Sequence, residues 1–435
     1  MPAAEPAPGL DPSALFDRWA GEKGIALAVS GGADSLALML LAARWRSALK
    51  DGPRLVVLSV DHGLRAEAAA EVAMVGATAA RLGLAFRSLA AGSFAPTADI
   101  EAEARALRYR LLFAAAREAG AGVVMTAHHA DDQAETLLLR LARGSGVYGL
   151  AAMAVESERE GIRLARPLLG LGRGALAAVV VASGLSPAAD PHNADRRFAR
   201  ARLRPLMPLL AAEGLDTARL TATADRLRRA ASAIDDYADR LLDAAQVDIT
   251  GALRLDAASF AAEPEETRLR VLGRILRAVG GGDYSPRLDS LVPLASALAK
   301  GEGPVAARTL AGVTADRRKG EIRFQREAGR SGLPAIDIAG AFDGIWDGRF
   351  AVRIAAPGAP LRLAALGEAG RRSIGLCLPD GLPRAIAAAP ALYRGDALLA
   401  APTLGLSASP DERITAEMRP IVALRLRHRT QNDPS

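Results

Sequence analysis

Apolar positions in the first half of the chain follow two alternating rhythms. Short aliphatic runs at 25–29, 55–60, 84–89 and 123–127, with a further extended segment near 162–166, alternate with helical periodicity at about 35–47, 66–82, 100–119 and 130–142. Strands that alternate with helices of this length predict an α/β fold, a parallel sheet covered on both faces. Ligands of such sheets lie at the carboxyl ends of the strands, beside helix N-termini. From 216 the texture changes to Arg- and Ala-rich helical sequence, "TARLTATADRLRRAASAIDDYADRLLDAAQ", with further helices expected near 266–278 and 286–300. The stretch "ARTLAGVTADRRKGEIRFQRE" predicts a β-hairpin turning at Gly320. After a linker at 329–335, "GIWDGRFAVRI" opens a small β-rich module. The expected organisation is a loose tail at 1–20, an α/β domain at 21–215, a mainly helical domain at 216–328 and a small C-terminal domain at 335–428.

A length of 435 residues supports more than one domain, and 50% hydrophobic with 24% charged residues is the composition of a globular protein. The formal net charge of +6 favours a polyanionic partner, although a solvated basic surface accounts for it equally. Cys377 is the single cysteine, so one chain cannot build a disulfide framework or a cysteine-based metal or iron–sulfur site. A reducing cytoplasm fits. The start, "MPAAEPAPGLDP", lacks the cationic end and apolar core of a signal peptide, and runs such as "ALAAVVVASGL" are too short to span a bilayer. No membrane segment is expected.

Between the first apolar run and the helix that follows it stand Ser30, Gly31, Gly32, Ala33, Asp34 and Ser35. Glycines let a backbone approach a ligand closely, and a helix N-terminus offers unpaired N–H groups with a partial positive charge. Together they predict a phosphate cradle, to which Ser30 and Ser35 can add donors and Asp34 a ligand for Mg2+. The plainer alternative is a tight turn with a Ser or Asp N-cap. A kinase-type P-loop is excluded, since the loop has no lysine. At the end of the 123–127 run, His128 and His129 precede a helix carrying Asp131, Asp132 and Glu135, whose spacing clusters the acidic groups on one side of its first turns. A cationic ligand fits there, while simple complementation of the helix dipole is the alternative.

The complete S-G-G-x-D-S between strand and helix resembles the PP-loop of the N-type ATP pyrophosphatases. Five later segments, "VDHGLR", "DIEAEARALRYRLLFAAA", "TAHHADDQAETLLLRLARGSGVYGLAAM", "ARPLLGLGRGAL" and "DPHNADRRFARARLRPLMPLL", resemble the tRNA(Ile)-lysidine synthase family within that superfamily, from about 24 to 210. The resemblance implies an enzyme, a ligase using ATP and Mg2+. In the reaction it implies, the 2-carbonyl oxygen of the wobble cytidine of a CAU-anticodon tRNA(Ile) attacks the α-phosphate of ATP and pyrophosphate leaves. Free L-lysine then displaces AMP at the same carbon, and the codon read changes from AUG to AUA. It implies that His128 acts in adenylation, that Asp132 and Glu135 bind lysine, and that Arg200, ahead of Arg204, reaches the triphosphate. Arg105, Arg108, Arg143 and Arg204 are candidate RNA contacts, as are the basic stretches "DRLRRA" and "LRLRHR" of the second half. A homodimer is among the assemblies allowed. Two departures stand out: Asp190-Pro191-His192-Asn193 where the family usually shows Asp-x-Ser-Asn, and Arg200-Ala201 where it usually shows Arg-Asn. A PP-loop tRNA thiolase, the nearest rival, needs cysteines or a cluster that Cys377 alone does not provide. A non-catalytic RNA-binding protein with a degraded nucleotide fold would have no reason to keep the loop, His128, Asp132 and Glu135 together.

Overall fold

The computed structural model describes residues 10–61, 67–90, 100–159, 161–188, 199–329, 332–373, 382–407 and 415–427. Its contacts divide the chain into two units, one up to Arg229 and one from Ala230.

The first unit is built on six strands: β1 Gly24–Ala28, β2 Arg54–Asp61, β3 Ala85–Ala90, β4 Val123–Met125, β5 Glu156–Arg159 and β6 Ile162–Ala165, in the order β3-β2-β1-β4-β6-β5. All neighbours are parallel except the β5–β6 hairpin. Its helices are α1 Pro12–Phe16, α2 Ala33–Ala48, α3 Glu67–Arg81, α4 Ile100–Glu118, α5 Ala130–Leu141, α6 Val147–Leu150, α7 Arg173–Ala182, α8 Ala199–Leu203, α9 Met207–Ala212 and the first part of α10 Thr217–Asp243. The period-2 rule is visible in β1: Ile25 and Leu27 enter a core shared with α2 and α7, while Ala26 faces the opposite core built by Tyr109, Leu112 and Phe113 of α4. Burial on both faces explains why these strands read as continuous apolar runs.

The strand order reverses between β1 and β4, the kind of switch point at which open α/β sheets bind ligands. Leu27 pairs with Met125, so Ser30 and His128 stand equally far beyond that pair, at the carboxyl ends of adjacent strands. Both candidate motifs are therefore carried to one edge of the sheet.

Two expectations need correction. The segment 1–20 is not a tail where it is described, because α1 is capped by Asp11 and Phe16 and Trp19 are 0% and 1% exposed in the main core. The first unit also does not end at 215. Leu220 and Ala224 of α10 pack with Ala134, Leu137 and Ala152, and Arg228 donates to the carbonyls of Ala151 and Met153.

The second unit opens with the rest of α10, followed by β7 Gln246–Val247, β8 Leu253–Asp256, α11 Ala257–Ala262, α12 Glu265–Gly280, α13 Leu288–Ala299, β9 Val305–Leu310, β10 Val313–Arg318 and β11 Glu321–Arg326, with the sheet order β7-β8-β11-β10-β9. The hairpin expected at Gly320 is the β10–β11 turn, and β9 adds a third strand to it. The C-terminal stretch forms a five-stranded and a three-stranded sheet around Trp346, Phe350 and Leu363. Its last helix, Val422–Arg427, buries Val422 and Leu426 in the core of α12 and α13, so the contacts do not part 216–328 from 335–428. No helix among the described residues is long and apolar enough to cross a membrane.

Candidate active site

The loop after β1 is shaped by one residue with left-handed backbone. Gly31 has φ +89°, and a Cβ there would also approach the Met74 methyl at 3.3 Å. Gly32 begins α2 with no side chain occupying the first N–H groups, and around the place of its missing Cβ there is only Ser30 Oγ, at 3.9 Å. Those N–H groups and that space form an anion-accepting end. The buried Ser35 Oγ accepts from the Ser30 N–H at 3.2 Å and donates to the Gly32 carbonyl at 2.9 Å. Ser35 thus holds the loop closed on itself. Ser30 is exposed and lies 3.4 Å from it, oxygen to oxygen.

After β4, the adjacent histidines meet opposite surroundings. His128 Nδ1 is 2.8 Å from Thr126 Oγ1. Burial and the positive field of Arg166, Arg105, Arg200 and Arg108 hold its pKa well below the ordinary value, so the ring is neutral. In the tautomer where Thr126 donates to Nδ1, the Nε2–H is left as a donor. Arg105 and Arg108 also lie over the Tyr109 ring, at 5.3 and 5.5 Å.

His129 is 1% exposed and contacts three carboxylates: its Nε2 is 3.4 Å from Asp34 and 3.6 Å from Asp132, and its Nδ1 is 3.4 Å from Asp131. Burial alone would lower its pKa, but the hydrogen bond to Asp34 and the charges of Asp132 and Asp34 raise it. For Asp34, burial pushes upward, and His129, with Arg173 and Arg204 behind it, brings the pKa below the usual carboxylate value. Asp132 accepts the His129 backbone N–H at 3.0 Å, and Asp131 accepts the Arg173 N–H at 2.8 Å.

Glu135 is buried, with Oε1 bound to Arg204 Nε at 2.9 Å and Oε2 without a hydrogen-bond partner. Arg204, expected at RNA, therefore belongs to the acidic side of the site, drawn in by a carboxylate that could not stay buried alone. Arg200 stands on the His128 side. Arg143 is exposed in the turn that ends α5, where Gly144 has φ +69° and the Ser145 N–H returns to the Arg140 carbonyl. That turn is a helix C-cap, and the residues gathered around His128 do not include Arg143. Ala201, the departure on α8, is buried. The departure at 190–193 and residues 62–65 of "VDHGLR" lie outside the described residues.

Sequence reasoning named His129 without giving it a role and missed Arg166 and Arg173. The first had a local signal, since a helix N-cap followed by an acidic residue at the third helical position is a capping pattern. The other two reach the site from after β6 and from the start of α7, which spacing along one helix does not reveal.

Comparison with known proteins adds a second line of observation. The family model of the PP-loop domain matches residues 12–210. The tRNA(Ile)-lysidine synthase of Rhodopseudomonas palustris is 50% identical over 291 residues, covering 66% of this chain and 83% of the relative. That of Ruegeria pomeroyi is 39% identical over 392 residues, 88% of this chain and 89% of the relative. That of Brucella suis biovar 1 is 34% identical over 424 residues, 91% and 90%.

Proposed function

Because the chain belongs to the tRNA(Ile)-lysidine synthase family, we propose that its first unit adenylates the wobble cytidine of CAU-anticodon tRNA(Ile) and then joins free L-lysine to the 2-carbon. The chain is an ATP-dependent tRNA-modifying enzyme. The observation that carries the residue-level proposal is the pair of opposite environments at adjacent strand ends: a neutral histidine among arginines, and an acidic cluster around its neighbour.

In the first half-reaction the triphosphate lies over the N-terminus of α2, where the backbone N–H groups and Ser30 receive its oxygens. Arg200, with Arg105, Arg108 and Arg166, makes the His128 side attractive to anions, and a neutral His128 with Thr126 on its Nδ1 donates to phosphate through its Nε2–H. The cytidine oxygen attacks the α-phosphate and pyrophosphate leaves. Asp34 suits Mg2+: its carboxylate is 36% exposed, and this ion is commonly held by one or two carboxylates plus substrate phosphates. There it would neutralise phosphate charge.

In the second half-reaction the lysine ammonium groups bind the acidic side. The unpartnered Glu135 Oε2 is a buried acceptor in need of a donor, and Asp132 stands one helical turn earlier on α5. The amine that attacks the 2-carbon must first lose a proton, and AMP departs with the oxygen it activated. A reaction on tRNA and free lysine fits the cytoplasm.

The test is incubation of the full chain with ATP, Mg2+, labelled lysine and unmodified tRNA(Ile) transcript. Label entering RNA, with AMP and pyrophosphate formed in equal amounts, is the expected result. ATP turnover that leaves lysine out of RNA would overturn the proposal.

A further inference from the structure

His129 stands where the two half-reactions meet. Its ring touches Asp34 of the phosphate loop and Asp132 of the lysine subsite through the same nitrogen, and Asp131 through the other. The ring takes part in the capping box that starts α5, and the Asp132 carboxylate takes the His129 N–H at 3.0 Å in return. That cap leaves unexplained why the ring is also turned to Asp34, on another helix. Asp131 is itself anchored, accepting the Arg173 N–H at 2.8 Å and the Thr217 hydroxyl at 3.3 Å. The result is a rigid acidic frame, with carboxylates from two helices closed around one imidazole.

We infer that His129 is a positioning residue common to adenylation and lysine transfer, holding the Asp34 and Asp132 carboxylates in one cluster so that the phosphate loop and the lysine subsite keep a fixed spacing. This rests on the function proposed above. Carboxylates this close repel one another unless a donor stands between them, and a half-buried pair left without that donor turns toward water. The imidazole, whose Nε2 faces Asp34 at 3.4 Å and Asp132 at 3.6 Å, is that donor. A phosphate with its metal acts on Asp34 and an ammonium acts on Asp132, so both substrates address carboxylates tied to the same ring. Loss of the ring therefore loosens both subsites. Loss of either carboxylate mainly affects its own.

The test uses the full chain with His129→Gln and, separately, Asp131→Asn, which removes the anchor behind the ring without altering a residue that touches a substrate. Three quantities are measured: the single-turnover rate of adenylated tRNA formation without lysine, the lysine KM of the complete reaction, and the tRNA Kd. For His129→Gln the adenylation rate falls about tenfold or more and the lysine KM rises about tenfold or more. The tRNA Kd stays within about twofold, which a general loss of structure would not allow. Asp131→Asn moves the same two quantities in the same directions by less. A change in one half-reaction alone, in neither, or in both together with weakened tRNA binding overturns the inference. If His129→Gln does not fold, Asp131→Asn decides by the same criteria. Wild-type chain that leaves lysine out of RNA overturns the proposed function as well, whereas wild-type lysidine formation with unaltered variants overturns the His129 role alone.

Discussion

Two consecutive imidazoles with opposite shifts make a pH signature at the scale of single residues. The His128 pKa lies well below about 6.5, the unfolded value, so between the two values the unfolded chain binds the extra proton and stability falls as pH falls. His129 runs the other way: its contribution is fully present below about 6.5 and is lost as pH rises through its raised folded value. NMR titration of the histidine rings should find His128 titrating below the unfolded value and His129 above it. Asp34→Asn should bring His129 down and move His128 far less, because Asp34 bonds the His129 ring whereas burial and arginines dominate at His128. Equal midpoints for the two rings would remove the electrostatic account of the site. The carboxylates separate by kinetics. Asp132→Asn keeps an acceptor for the His129 N–H, and Glu135→Gln keeps one for Arg204, yet both lose charge toward an ammonium. A charge-assisted hydrogen bond is worth about 1.5–3 kcal/mol, so each should raise the lysine KM roughly 10- to 100-fold while adenylated RNA still forms. Asp34→Ala should instead abolish pyrophosphate release, as measured by phosphate assay in the presence of pyrophosphatase.

At the scale of elements, the buried strands and their helices were legible because the physics that buries them also writes the pattern. β1, β2 and β4 are covered on both faces and read as apolar runs, and α2 and α5 begin within two residues of where the sequence placed them. What escaped depends on distant partners. The segment 12–19 has little apolar periodicity, but Phe16 stacks on Trp45 at 5.5 Å and Trp19 Nε1 donates to Glu156 at 2.7 Å, 137 residues away. Its start was marked locally after all, by Asp11 capping Ser13 with Pro12 at the first helical position. The polar edge strand β5, "ESER", gave no signal apart from its pairing with β6. In the site, the phosphate loop was legible as a motif, whereas the role of His129 arises from carboxylates on two helices and is invisible along either. Trp19→Ala tests the reassigned segment: emptying a fully buried indole site costs about 3–5 kcal/mol by urea denaturation, where a loose tail would cost nothing measurable.

For the whole molecule, the count of 55 Lys and Arg residues overstates the basic surface offered to tRNA, because many arginines are spent inside the second unit. Arg270 pairs with Asp235, Arg274 with Asp239 and the Leu426 carbonyl, Arg349 with Asp347, and Arg317 donates to the carbonyls of Leu298, Lys300 and Gly303. Two stretches expected at phosphate are partly committed as well: Arg228 of "DRLRRA" binds the Ala151 and Met153 carbonyls, and Arg425 of "LRLRHR" binds those of Gly348 and Gly282. Arg226 and Arg229 remain exposed on α10, as do Arg308, Arg318 and Arg353 beyond it. Exposed arginines are the ones able to release counterions, each phosphate contact adding about 0.9 to the slope of log affinity against log salt. The division of labour between the units should be tested with a fragment ending at Arg229, not at 215, since the shorter one would strip Leu220, Ala224 and Arg228 from the catalytic core. The longer fragment should bind ATP as the full chain does. Its tRNA affinity should be much weaker and its salt dependence shallower, by about 0.9 for each phosphate contact that the second unit supplies. Filter binding across a salt series reads both quantities, and equal affinity and slope for the two proteins would show that the second unit takes no part in holding the RNA.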